Sequence, residues 1–306
     1  MNSPSFQPPS LGDIVRALRP NQWTKNAVVL AAFFFALGDP AQHLRVADGA
    51  ARVALAAVLF CLVSSGVYIV NDIIDAPADR AHPRKRHRPI AAGRVPPGTA
   101  AGMALVLLAG GLATARCALP PAFALALSGY VGLQLLYTLA LKRVALVDVF
   151  VIASGFVIRA IAGAVVLDVA ISPWLLLCAF LLALFLALCK RRHEKLLAND
   201  AGHDSRASLE DYDGRLLDQL IAVVSAATVV CYAIYTLSNQ TVEKFGTAKL
   251  GFTIPFVMFG IFRYLDLVYR HEQGDRPERI LLTDAPILIN LVLYGLCVLT
   301  IFLWLR

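Results

Sequence analysis

The chain carries a succession of apolar stretches about 17–25 residues long, the length a helix needs to cross roughly 30 Å of hydrocarbon. They recur along the whole sequence with short polar interruptions. In lipid every backbone N–H and C=O must be paired within the protein, so such stretches are read as helices. Nine are delimited: Trp23–Leu37, Ala50–Val70, Thr99–Ala118, Pro120–Leu141, Leu146–Asp168, Pro173–Leu188, Leu216–Leu237, Leu250–Tyr269 and Ala285–Leu305. The expected fold class is all-α, a polytopic membrane protein with nine transmembrane helices in a bundle. Composition agrees, since 58% of the 306 residues are hydrophobic and only 16% charged, which is too apolar for a soluble domain of this size.

The longest polar stretches, Asp72–Gly98 and Lys190–Arg215, leave no room for a soluble domain. Residues 1–306 are therefore read as a single transmembrane domain, with 1–22 as an N-terminal cytoplasmic or interfacial segment. Within it Ser10–Leu18 has the pattern of a short amphipathic helix lying on the membrane. The features of a cleaved signal peptide are missing, so no processing is expected. Six cysteines scattered through apolar segments lack metal-like spacing and read as small core residues. The net charge of +7 is no sign of nucleic acid here, because in a membrane protein its distribution matters more than its sum.

Cytoplasmic loops collect Lys and Arg. With nine spans, 20 of the 28 Lys and Arg residues fall on the side of the N-terminus and six on the other, leaving Arg159 and Arg263 inside helices. The N-terminus is expected in the cytoplasm and the C-terminus outside, with the charged loops of a bacterial inner membrane protein facing the cytosol.

The second apolar stretch ends in Asn71, Asp72, Asp75 and Asp79. At about 100° per residue these positions share one face of a helix. Carboxylates at a membrane boundary are costly and tend to be functional. Amide and carboxylate oxygens suit Mg²⁺, which shares its shell with substrate phosphates. A solvated helix end balanced by nearby arginines is the competing reading. Pro77 is expected to bend the chain before Asp79. The loop that follows, from His82 to Arg94, is rich in Lys and Arg and is fixed by two prolines, a composition that can close over phosphates. Together the acidic face and basic loop fit a diphosphate bridged by Mg²⁺.

Other polar groups are less specific. Arg159, about three turns into a span, needs a polar cavity or a partner such as a buried acid. Tyr137, Lys142, Arg143 and Asp148 flank the boundary between the fourth and fifth spans. Lys190 and Glu194 share a helix face and read equally well as a solvated ion pair. Arg19 to Asn26 combines a proline, an interfacial Trp and several donors, as either an anchor or one wall of a pocket. Arg263 and Asp266 are read as neutralising one another. No Walker, Rossmann, GxSxG or HExxH signature occurs.

These residues resemble the UbiA superfamily of intramembrane prenyltransferases, nine-helix bundles with an N-D-x-x-D-x-x-x-D motif after the second helix, here Asn71-Asp72-Ile-Ile-Asp75-Ala-Pro-Ala-Asp79 followed by Arg88-Pro-Ile-Ala-Ala-Gly93. Arg19-Pro-Asn-Gln-Trp-Thr-Lys-Asn26, Ser154-Gly-Phe-Val-Ile-Arg159-Ala-Ile-Ala-Gly163 and Lys190-Arg191 point within it to the branch that transfers phosphoribose to a lipid. Where prenyl-diphosphate enzymes carry a second D-x-x-x-D, this chain has Lys190-Arg-Arg-His-Glu194, which suits a donor with an extra phosphate.

The resemblance implies Mg²⁺-dependent transfer of 5-phosphoribose from phosphoribosyl diphosphate to a polyprenyl (decaprenyl) phosphate, with diphosphate leaving. Asn71, Asp72, Asp75 and Asp79 would hold the metal, and Asp75, Asp79, Lys142 and Arg159 would carry catalysis. Asn21, Lys25, Arg84, Lys85, Arg88, Tyr137, Lys142, Asp148, Arg159, Lys190, Arg191 and Glu194 would bind the substrates. A homo-oligomer is compatible with some members of the superfamily. The rival enzyme reading is prenyl transfer from a prenyl diphosphate to an aromatic or other acceptor. The rival from another class, an anion transporter centred on Arg159, lacks the paired inverted repeats such proteins show.

Overall fold

The computed structural model describes residues 9–38, 45–83, 85–201, 212–270, 280 and 282–304, and among them no strand occurs. Helix α1, Leu11–Leu18, opens at Ser10, whose hydroxyl accepts the Asp13 N–H, and closes at Arg19 in the left-handed region (φ 54°). A 3-10 segment, Pro20–Ala27, then runs into α2, Val28–Gly38. The long helices follow as α3 (Val46–Ala81), α4 (Pro97–Ala118), α5 (Pro121–Leu139), α6 (Val147–Leu167), α7 (Pro173–Ala201) and α8 (Gly214–Leu237). Short α9 (Asn239–Phe245), α10 (Ile254–Arg270) and α11 (Ala285–Trp304) complete the chain. Pro97 and Pro121 open α4 and α5, where a missing N–H costs nothing.

Among the described residues eight helices, counting α10 with the 3-10 turn before it, are long and apolar enough to cross a membrane, one fewer than expected from the sequence. The difference is the stretch Trp23–Leu37. Its first part is the 3-10 segment and its second part, α2, has 11 residues, about 16 Å at 1.5 Å per residue. The α-helix starts late because the polar run before it bonds to distant groups. Asn26 donates to Ser64 Oγ (3.3 Å) and Trp23 Nε1 donates to Ser65 Oγ (3.0 Å).

Helix α3 errs the other way. Its 36 residues extend about 54 Å, well beyond the ~30 Å of hydrocarbon, so the acidic residues stand on a helical projection, the motif end of the bundle. The bend expected at Pro77 does not end the helix. An internal proline costs about 3 kcal/mol, and the turn is held by Ala76 packing with Ile69, Ile90 and Val95 and by the tie between Asp79 and Arg88. Helix α7 likewise continues past the expected end at Leu188, so Lys190 to Glu194 are helical.

Two apolar cores lie side by side. One gathers α2 to α6 around Phe60, Phe123 and Tyr130, and the other gathers α6, α7, α8 and α10 around Phe185, Leu217 and Tyr264. Helix α6 serves both, through Ala162 and Val166 on one side and Val149 and Ala153 on the other. Its contact with α2 is close enough that a Cβ on Gly163 would lie 2.1 Å from the Val29 carbonyl oxygen, the small-residue crossing typical of membrane helices.

Candidate active site

At the motif end α3 presents its acidic face to three cations delivered by three different segments. The left-handed residue Arg19 swings its guanidinium onto Asp72 Oδ1. Arg88 bridges Asp72 Oδ1 (3.2 Å) and Asp79 Oδ2 (2.5 Å). Lys142, on the 3-10 turn Leu141–Arg143 between α5 and α6, reaches Asp75 Oδ1 (2.5 Å) and Asn71 Oδ1 (3.4 Å). Asn71 Nδ2 in turn donates to Asp75 Oδ2 (3.0 Å). The carboxylates differ in access: the Asp72 and Asp79 side chains are 3% and 5% exposed, whereas that of Asp75 is 29% exposed.

Arg88 is placed by a tightly folded loop. Arg80 Nε donates to the Ala91 carbonyl, Arg94 Nη2 to the His87 carbonyl, and Gly93 takes the positive φ (75°) that the turn requires. Arg94 also pairs with Asp13 (2.8 Å), joining the loop to α1. The Asp13 carboxyl is held below its ordinary value, first by the Ser10 hydroxyl and then by Arg94.

A second cluster faces the ends of α5, α6 and α7. Asp148 is fully buried and accepts from Arg191 Nε (2.7 Å) and from the Tyr212 hydroxyl (2.8 Å). Arg191 also pairs with Glu194, which lies 3.8 Å from Lys190. Tyr137 lies within electrostatic reach of Arg191. Tyr212 accepts the N–H of Leu146 (2.7 Å), a residue with positive φ (65°). Burial first, and then the Asp148 bond, push its phenol well above the ordinary tyrosine range.

Arg159 belongs to neither cluster. It is 11 residues further along α6 than Asp148, about 16 Å deeper, and 4% exposed. It donates to Asn26 Oδ1 (2.7 Å), the Gly155 carbonyl (2.9 Å) and the Tyr130 hydroxyl (2.9 Å), with the Tyr130 ring against its face. Among the described residues no carboxylate pairs with it, so the buried-acid alternative is not what the fold uses.

Of the remaining expected site residues, exposed Asn21 and half-buried Lys25 lie on the 3-10 segment Pro20–Ala27, which packs on α3, as does the turn bearing Lys85. Arg84 lies outside the described residues. Arg263, expected to pair with Asp266, does so (2.8 Å) but also takes Asp284 (2.8 Å) from the segment before α11. Sequence reasoning left Arg19, Asn26, Tyr130 and Tyr212 off the site. Arg19 and Asn26 bound a conspicuous polar run, whereas nothing local marks Tyr130 or Tyr212.

The oxygen set of Asn71 and Asp75 suits a hard divalent cation. Among the described residues no three His, Cys, Asp or Glu side chains converge into a metal cage, so an ion there would draw on water and phosphate oxygens, as Mg²⁺ readily does.

A polytopic helical bundle with ionic clusters at the end of α3 and at the ends of α5, α6 and α7 is, by the family its sequence matches, a membrane-embedded transferase. Residues 26–200 match the UbiA prenyltransferase family. The chain is 38% identical to the decaprenyl-phosphate phosphoribosyltransferase of Mycolicibacterium smegmatis, over 84% of this chain and 85% of that one. It is 39% identical to the protein of the same name from Mycobacterium tuberculosis, over 91% of each. In fold it matches a UbiA homolog from Archaeoglobus fulgidus solved bound to GPP and Mg²⁺, with a TM-score of 0.71 at 20% identity, covering 95% of this chain and 99% of that one. The chain belongs to the UbiA prenyltransferase family.

Proposed function

We propose that the protein transfers 5-phosphoribose from phosphoribosyl diphosphate to a polyprenyl phosphate, decaprenyl phosphate in the first instance, with release of diphosphate. The observation that carries this is the identity of 38–39% over most of the chain to relatives named for that reaction. The second cluster supports it, since Lys190 and Arg191 stand where a prenyl-diphosphate enzyme would offer carboxylates.

An oxygen of the lipid phosphate attacks the anomeric carbon of the donor while the bond to diphosphate breaks. The nucleophile is already an anion and needs no strong base, so the protein acts by position and charge. Asn71 and Asp75, with Asp72 and Asp79 behind them, would hold Mg²⁺, which would neutralise charge on the leaving diphosphate. Lys142, Arg88 and Arg19 bind phosphate oxygens at the first cluster, the arginines by forked hydrogen bonds and the lysine as a point charge. Lys190 and Arg191, oriented by Glu194 and Asp148, take the additional phosphate. Arg159 adds positive potential from below. The motif end is taken to face the cytosol, where the donor is made, because the nine-span reading of the sequence puts 20 of the 28 Lys and Arg residues on that side.

The test is to incubate purified protein with Mg²⁺, labelled phosphoribosyl diphosphate and decaprenyl phosphate and extract the lipid. Mg²⁺-dependent label in the organic phase is expected. Consumption of a prenyl diphosphate instead, with no labelled lipid, would assign the protein to the prenyl-transferring branch.

A further inference from the structure

The ionic cluster on α3 is closed upon itself. Three carboxylates, Asp72, Asp75 and Asp79, meet three cations, Arg19, Arg88 and Lys142. A bare divalent ion entering such a balanced, partly buried set would have to displace a cation from its carboxylate and leave that cation without a counter-charge, a costly outcome at low dielectric. A diphosphate arriving with the metal removes the obstacle, because the displaced cation finds a phosphate oxygen.

Geometry locates the exchange. Asp72 and Asp79 are nearly closed to solvent and bound by Arg19 Nη2 and Arg88 Nη1, whereas Asp75 is 29% exposed. Lys142 sits on the two oxygens, Asp75 Oδ1 and Asn71 Oδ1, that suit a metal, and its side chain is only 9% exposed. It comes from a 3-10 turn outside α3, so its stem can swing without disturbing the acidic helix.

We propose that Lys142 is a resident counter-ion that keeps the metal position of Asn71 and Asp75 closed until the donor's diphosphate arrives, so that metal and diphosphate bind together and hardly at all singly. This rests on the reading of the site given above, and it makes the two ligands reciprocally coupled.

Metal binding can be read without turnover, with Mn²⁺ as the probe and electron paramagnetic resonance as the detector, on the full chain in detergent. In the wild type, inorganic diphosphate should tighten Mn²⁺ binding by at least about tenfold. Lys142→Met, which keeps the stem but not the charge, should bind Mn²⁺ about tenfold tighter than wild type without diphosphate and lose most of the coupling. Lys142→Arg should behave as wild type. Equal Mn²⁺ affinity of the wild type with and without diphosphate would overturn the exchange, whether or not the methionine variant folds. Adding Asp75→Asn to Lys142→Met should abolish the gain. If tight Mn²⁺ binding persists in that double variant, the metal lies elsewhere and the site assignment itself fails.

Discussion

Asp148 has no exposed surface and takes its bonds from Arg191 and Tyr212, and a buried carboxylate deprived of a partner is expensive. Tyr212→Phe should therefore cost about 1–3 kcal/mol, read as a lowered midpoint of thermal unfolding. Because the Tyr212 phenol is raised above its unfolded value, the protonated form favours the fold. Its contribution is complete below the ordinary tyrosine pKa of about 10 and fades only above it. The stability gap between wild type and variant should stay flat from pH 7 to about 10. A gap that closed within that range would mean the Asp148 bond is not its source. Access separates two other carboxylates. Asp75→Asn should leave the protein folded while lowering phosphoribosyl transfer roughly 10²–10³-fold. Asp72→Asn, beneath Arg19 and Arg88, should lose stability as well as activity, which a comparison of unfolding curves will separate.

Among the elements, α2 and α6 show how tightly the bundle is drawn. Gly163→Ala would press a methyl group into the Val29 carbonyl. It should cost about 1–3 kcal/mol by overpacking, seen as a lower unfolding temperature in detergent, whereas the same change at Gly129, whose Cβ would meet nothing within 4 Å, should be nearly silent. The sequence marked α4, α5, α6 and α8 to within about two residues, because long apolar runs between prolines or charges admit one reading. It also marked Asn71, Asp72, Asp75 and Asp79 as one face. It missed the 3-10 entry to α2, since Asn26 and Trp23 are satisfied by side chains on α3 some 40 residues away in sequence. For Arg159 it left open a polar cavity or a partner such as a buried acid, and the fold supplies the neutral acceptors Asn26, Gly155 and Tyr130. Tyr212 is invisible locally, because only the packing of two distant segments brings it to Asp148.

For the molecule as a whole, orientation has a native reporter. Cys117 is exposed at the end of α4 away from the acidic motif. A membrane-impermeant maleimide should label it in intact cells whose outer barrier is removed, and Cys117→Ser should abolish that label. Labelling only after the inner membrane is opened would invert the proposed topology. The same architecture bears on leakage. If the motif end takes a divalent cation as proposed, it must not pass it on, and deeper in the bundle stands Arg159, a fixed positive charge with no carboxylate beside it among the described residues. An ion that had shed its water there would face repulsion rather than a ligand, so the residue proposed to draw phosphate inward would also insulate the membrane.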